Sequence, residues 1–228
     1  MTVAMLADTG GQPLILWHWV RGHTGLIVSL LLQHVLLTGL AVGIGFVISF
    51  ALALLSIRYR KTYAPVTWVT GILYTIPSIA LFGFLVPLTG YTILSAEIGL
   101  VSYTLLILIR NIVAGVNAVP PEVREAAIAM GYRPTRLLLQ IELPIALPTI
   151  VAGLRIATVT TIGLVTITSL ITYGGLGLLI LDGLQRFFPT QVVVGSVLSI
   201  VLAATADALF VIVGRRLTPW ARRRSAIA

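Results

Sequence analysis

This sequence predicts an all-α integral membrane fold with about five transmembrane helices, and three observations carry that prediction. Hydrophobic residues make up 58% of the 228-residue chain, charged residues only 10%, and mean hydropathy is +1.06. A soluble domain is about one-quarter charged, so there is too little polar surface here to enclose a core. Five apolar runs, at 26–57, 64–88, 98–119, 149–171 and 192–214, each reach the roughly 20 residues that a helix needs to cross a bilayer. The basic residues are grouped between these runs: Arg58, Arg60 and Lys61, then Arg124, Arg133 and Arg136, then Arg215, Arg216, Arg222, Arg223 and Arg224. With five crossings all three groups share one side, and only Arg21 and Arg186 remain on the other. The positive-inside rule then places the three groups and the C-terminus in the cytoplasm and the N-terminus outside. An even count would split the groups. The net charge of +8 is therefore a topology signal and not a nucleic-acid footprint.

Residues 1–25 read as an extracytoplasmic segment. Its first basic residue is Arg21 and Asp8 stands where a signal peptide needs positive charge. Trp17 and Trp19 suit the outer membrane interface. The first run is longer than one crossing, and Gln33 and His34 interrupt it. This predicts an interfacial segment near 24–33 and a spanning helix from about His34 to Ile57, with His34 a polar residue at its outer end. Gly39, Gly43 and Gly45 permit close helix contact. In the second run Pro77 bends the helix, with Thr75 and Ser78 placed to satisfy the freed carbonyls. Tyr74, Pro77 and Ser78 are thus candidate pathway residues.

The third span runs inward from about Glu97 to Val119, and the fourth outward from about Pro148 to Ile171. The fourth carries Thr158, Thr160, Thr161, Thr166 and Thr168. Such hydroxyls bond to helix carbonyls or face a polar cavity, and Thr161 is a further pathway candidate. In 172–190 Gly174, Gly175 and Gly177 break the helix, and Asp182 and Arg186 share a face. This segment reads as external or re-entrant, a candidate outer gate, before the fifth span returns inward. Arg110, Arg155 and Asp207 lie inside spans, about 10–15 Å from the cytoplasmic ends at a rise of about 1.5 Å per residue. A lone charge there is costly, so Asp207 is expected to pair with Arg155 or Arg110. The chain divides into the N-terminal segment 1–25, a transmembrane domain 26–214 and a basic tail 215–228.

Chemistry of its own is missing. There is no cysteine, no Gly-rich phosphate loop (the only lysine, Lys61, follows Arg60), no metal-ligand spacing and no Ser/His/Asp set. No catalytic residue, metal site or cofactor is expected. Work done across the membrane would draw its energy from another chain.

That directs attention to the polar stretch 120–148, PPEVREAAIAMGYRPTRLLLQIELPIALP, which holds Glu122, Arg124, Glu125, Arg133, Arg136, Gln140 and Glu142. Pro120 and Pro121 pre-set the first turn of a helix. Glu122 and Glu125 suit its positive N-terminus, and Gly131 ends it. Arg133-Pro134 opens a second helix with Leu137, Leu138, Leu139 and Ile141. Leu143-Pro144 and Leu147-Pro148 turn the chain back into the membrane. Physics alone yields a cytoplasmic helix–turn–helix platform that docks a partner or caps the bundle.

Glu125-Ala126-Ala127, three residues, Gly131, nine residues, Ile141, one residue, Leu143-Pro144 resembles the EAA loop of the membrane subunits of binding-protein-dependent ABC importers. The resemblance extends over about residues 30–213, through TIPSIALFG, IRNIVAGV, LPIALPTIVAGLR and YGGLG, and is closest to the osmoprotectant branch. It implies a MetI-like type I ABC importer fold. It also implies that Glu125, Ala126, Ala127, Gly131, Ile141, Leu143 and Pro144 couple to cytoplasmic ABC ATPase subunits. The implied partners are a separate extracytoplasmic solute-binding protein and a second permease subunit, identical or related. The implied solute is a glycine betaine, choline, carnitine or proline type. Import of an amino acid or oxyanion, or an ATP-independent secondary transporter, are the alternatives.

Overall fold

The computed structural model describes residues 14–171 and 173–220. Most of the N-terminal segment and the tail residues Arg222, Arg223 and Arg224 lie outside them. Every regular element among the described residues is helical. The long α2 (Thr24–Arg58) follows the short α1 (Trp17–Gly22), and α3 (Tyr63–Thr75) and α4 (Ser78–Thr89) lead to α5 (Ile93–Asn117). The polar stretch forms α6 (Pro121–Ala129) and α7 (Pro134–Leu137). It is followed by α8 (Leu143–Ile167), α9 (Leu176–Gln185) and α10 (Pro189–Leu217).

Contacts between α2 and α5 bear on the number of crossings. A Cβ at Gly45 would collide with the Thr104 hydroxyl, and the Ser49 hydroxyl donates to the Leu105 carbonyl at 3.5 Å. Leu37, Ala41, Ala96 and Leu100 share one buried cluster, and Ala53, Ile109 and Ile112 another. Rising numbers in α2 meet rising numbers in α5, so the two helices run parallel. The chain between two parallel spans must return across the layer, and α3 with α4 makes that return. Gly115 packs on Ala146 and Thr149, and Gly153 on Asn111, which sets α8 antiparallel to α5. Gly214 meets Val151 and Asp207 meets Arg155, which sets α10 antiparallel to α8. Four helices are long and apolar enough to cross, and with the bent α3–α4 pair counted as one span there are five, alternating in direction.

Two expectations about the early spans are corrected. The segment 64–88 is not one kinked helix, because α3 and α4 are bent by 95° at a clean break. Pro77 presses the preceding residue out of the helical region, and Ile76 accordingly has φ −64° and ψ 127°. The carbonyl this frees is taken by a neighbour: the Tyr103 hydroxyl of α5 donates to Ile76 O at 2.5 Å. Thr75 takes another freed carbonyl in the last turn of α3, donating to Ile72 O at 2.8 Å as expected, whereas Ser78 makes no such bond among the described residues.

The first run likewise does not divide near residue 33. α2 is one helix of 35 residues, about 52 Å long at 1.5 Å per residue, which exceeds the roughly 30 Å hydrocarbon layer. Gln33 and His34 do not interrupt it because each finds a tertiary hydrogen-bond partner, although the buried Nδ1 of His34 has none among the described residues. His34 is wholly buried and not an outer-end residue. Its Nε2 donates to Ile162 O at 3.0 Å, and Gln33 Oε1 accepts from the Gly175 amide at 3.1 Å.

Lipid gives no hydrophobic drive between helices, so close packing of small residues holds such a bundle. Gly45, Gly99, Gly115 and Gly153 each sit against a neighbouring helix, whereas Gly39 and Gly43 face open space. One core lies between α2, α5 and α8 around Ala53, Leu108, Ile109, Ile112 and Ile150. A second lies toward the other membrane face around Leu37, Phe82, Leu100 and Val165. α1 closes that end: Trp19 stacks on His23 at 4.4 Å and meets Phe188 edge-on at 5.4 Å.

Candidate functional site

The polar stretch folds much as its residues require. α5 ends at Asn117, and Pro121 occupies the first turn of α6. Gly131 has φ +84° and terminates α6 with two reverse-turn bonds, Gly131 N–H to Ile128 O at 2.9 Å and Tyr132 N–H to Ala127 O at 3.1 Å. This is the Schellman arrangement that a glycine past the helix end permits. Arg133 then takes the N-cap position of α7 in extended backbone, without a side-chain capping bond, and the helix begins at Pro134.

Pro144 and Pro148 do not turn the chain. Helix is continuous from α7 through a widened π-helical turn (Leu138–Glu142) into α8. A proline ring clashes with the carbonyl four residues earlier, and a widened turn is a common way for a helix to absorb such a conflict. The turn lies immediately before Pro144.

The signature residues do not share one environment. Glu125, Ala126 and Gly131 are exposed, with Ile128 and Met130 beside them at 60% and 70% exposure. Ala127, by contrast, is buried and faces the chain's own bundle. Ile141, Leu143 and Pro144 are half-buried, and Leu143 packs on the core between α2, α5 and α8. The first half of the signature thus presents a surface, and the second half roots it.

Arg124 is the fastening that the sequence reading missed. Its Nη2 donates to Val116 O at 2.6 Å, at the end of α5, and its Nε lies 2.7 Å from Glu142 Oε1, at the start of α8. One guanidinium therefore ties α6 to both spans that flank it. Arg124→Ala should lower the thermal stability of the solubilised protein by about 1–3 kcal/mol, since it strands a mostly buried carboxylate. Hydrogen exchange over 121–131 should rise with it. Lysine, a single point donor, should recover only part of the loss.

The pathway candidates separate in space. Tyr74, Pro77 and Ser78 lie at the α3–α4 break, where the Tyr74 ring meets Tyr103 edge-on at 6.0 Å. Thr161, Gly174, Gly175 and Gly177 are buried. A Cβ at Gly175 would lie 2.7 Å from His34 Cα, and one at Gly177 would lie 2.6 Å from Thr166 Cα. These glycines let the chain between α8 and α9 cross two helices at backbone contact, so they are packing positions. α9 itself is a short amphipathic helix with Asp182 and Arg186 paired at 2.6 Å. The threonines divide between the two readings: Thr166 and Thr168 bond to carbonyls of their own helix, while Thr160 lines a cleft. Glu97, expected near the edge of its span, is buried one turn inside α5, and its carboxylate has no hydrogen-bond partner among the described residues. Thr92, which accepts the Ser95 amide, marks the true start of that helix.

Of the two arginines offered to Asp207, Arg155 takes it. Nη2 donates to Oδ2 at 2.8 Å, and Nε donates to Oδ1. Arg110 is exposed and makes no ion pair among the described residues. Asp207 lies about 15 Å from Leu217, but Arg155 lies about 18 Å from Leu143, deeper than expected because α8 starts five residues before Pro148. The pair borders a shallow cleft of about 320 Å³ lined by Ala152, Arg155, Ile156, Val159, Thr160 and Asp207.

Comparison with known proteins agrees with this architecture. Residues 41–219 match the family described as "Binding-protein-dependent transport system inner membrane component". The chain is 36% identical over 195 residues to the osmoprotectant import permease protein OsmW of Salmonella typhimurium, covering 83% of this chain and 91% of that one. It is 30% identical over 187 residues to the glycine betaine/carnitine/choline transport system permease protein OpuCB of Bacillus subtilis, covering 82% and 86%. An inward-facing structure of the MetNI methionine ABC transporter superposes with a TM-score of 0.76 over 86% of this chain and 98% of that chain, at 23% identity. At that identity the likeness speaks for the fold alone.

Proposed function

The chain belongs to the family of inner membrane components of binding-protein-dependent transport systems, and from that premise we propose which solute it passes and how it is driven. It is a multi-pass permease subunit of an ABC importer. The solute we assign is a small compatible solute of the glycine betaine, carnitine or choline kind, as the names of its relatives suggest. Two such subunits, identical or related, frame the pathway. A solute-binding protein delivers from outside, and ATPase subunits act from the cytoplasm. The basic groups put α6 and the end of α10 in the cytoplasm and α1 and α9 outside. The division into 1–25, 26–214 and 215–228 follows the same topology.

The observation that carries the coupling role is the exposed face of α6, with Glu125, Ala126, Ile128 and Met130, held rigidly to α5 and α8 by Arg124. A surface that protrudes at the end of two spans and is bolted to both can pass a displacement into the bundle. Its exposed apolar residues suit a protein groove better than water.

Reconstitution in proteoliposomes with the cognate ATPase and binding protein tests the proposal. Uptake of labelled glycine betaine should require ATP, both partners and this chain, and should be unchanged by collapsing ion gradients. Uptake that follows an ion gradient without ATP would instead support a secondary transporter.

A further inference from the structure

Resting on that reading of the solute, we propose that Arg155 and Asp207 form a zwitterion subsite on the translocation pathway. A ligand carboxylate takes Arg155 and a ligand cationic head takes Asp207, each replacing the other residue of the pair.

Depth and exposure together point there. Both residues lie near the middle of spanning helices, yet their side chains keep 46% and 35% exposure. Charges at that depth do not face lipid without heavy cost, and they mark water-filled or protein-lined routes. A purely structural pair in this chain looks different. The Arg124–Glu142 clamp keeps only 26% and 11% exposure, although it sits at the membrane edge, where water is near. The mid-depth pair is the more open of the two, which is the reverse of what a helix fastener needs.

The surroundings suit a small solute. Ala152, Ile156 and Val159 form apolar walls, and Thr160 adds one hydroxyl. A mostly apolar recess with a few convergent polar groups is the usual form of a small-molecule site. The guanidinium offers a planar fork for a carboxylate, and Asp207 offers an anion for a cationic head. Tyr74 and Tyr103, whose rings meet edge-on at the α3–α4 break, do not line this cleft, so the charge of Asp207 and not an aromatic face would hold the head here. The pair is neutral as a unit, and so is a zwitterion. Exchanging one for the other leaves no uncompensated charge in the membrane at either end of the step.

The test uses the assembled transporter in proteoliposomes with labelled glycine betaine, which has a carboxylate, and labelled choline, which does not. Arg155→Gln should lower glycine betaine uptake at least tenfold relative to choline, and Asp207→Asn should lower both. Arg155→Met combined with Asp207→Leu keeps the two helices packed without charge and should lose uptake of both solutes. An unchanged glycine betaine to choline ratio in Arg155→Gln, or near wild-type uptake by the Met/Leu protein, would overturn the subsite. If the wild type carries only one of the two solutes, the Met/Leu protein decides. Wild-type protein that carries neither solute overturns the assignment of the solute, and the subsite with it.

Discussion

Gly131→Val should abolish ATP-driven uptake while the chain still inserts into the membrane. The residue ends α6 at φ +84°, a region where a β-branched side chain is a genuine outlier. Apart from its chain neighbours, no heavy atom among the described residues lies within 4 Å of where its Cβ would stand, so the penalty is conformational and not a clash. Its size is about 1–3 kcal/mol. The chain escapes it by opening the turn, which forfeits the bonds from Gly131 to Ile128 and from Tyr132 to Ala127 and re-aims the face carrying Ala126 and Met130. The spans are untouched. Because the fault is in φ alone, Gly131→Asn should retain most of the uptake, since asparagine tolerates this region. Uptake assays with co-purification of the ATPase decide the matter. Normal uptake by the valine protein, or an asparagine protein as poor as the valine one, would remove Gly131 from the coupling machinery.

Gly177→Ala should do the opposite, destroying the folded protein and not merely its coupling. A methyl there would press into the backbone of Thr166, 2.6 Å from its Cα, and backbone cannot rotate away as a side chain can. Overpacking costs about 1–3 kcal/mol even where side chains yield, and this site has less freedom than that. The protein should leave detergent extraction as aggregate. Gly163→Ala is the natural control, because Gly163 lies one turn from Thr166 in α8, is exposed, and meets no other element within 4 Å among the described residues. A gain of about 0.5–1 kcal/mol in helix stability is expected there. Gel filtration and thermal melting of the two proteins side by side measure the contrast.

Local rules made part of this molecule legible. Hydropathy and the grouping of arginines yielded five alternating crossings, and the parallel contacts of α2 with α5 agree. Pro121 and Gly131 marked both ends of α6, because caps act through nearest neighbours in sequence. What stayed hidden depended on partners far along the chain. Gln33 and His34 read as a break in α2 because their partners, Gly175 and Ile162, are more than a hundred residues away. Pro77 read as a kink because a full break needs a donor for Ile76 O, which Tyr103 supplies. Ala127 read as a contact residue because composition does not say which face of a nine-residue helix turns inward. Asp207 could be assigned a cationic partner from cost alone, but choosing Arg155 over Arg110 required the helix arrangement.

The break at Ile76–Pro77 also sets a length. α3 and α4 have 13 and 12 residues, arms of about 20 and 18 Å. Bent by 95° at Ile76–Pro77, the two arms alone reach about 26 Å from end to end, and the two extended residues of the break bring the pair close to the roughly 30 Å hydrocarbon layer. The pair crosses only if the line between its ends stands upright and both arms slope. Its corner then lies at mid-depth, displaced sideways by about 14 Å, more than the 10–12 Å diameter of a helix. Seen from above, the subunit is therefore wider than five rods by one protruding corner. That crossing has little spare reach, so the corner angle and local bilayer thickness are linked: a thicker membrane favours a more open angle or thinning beside it.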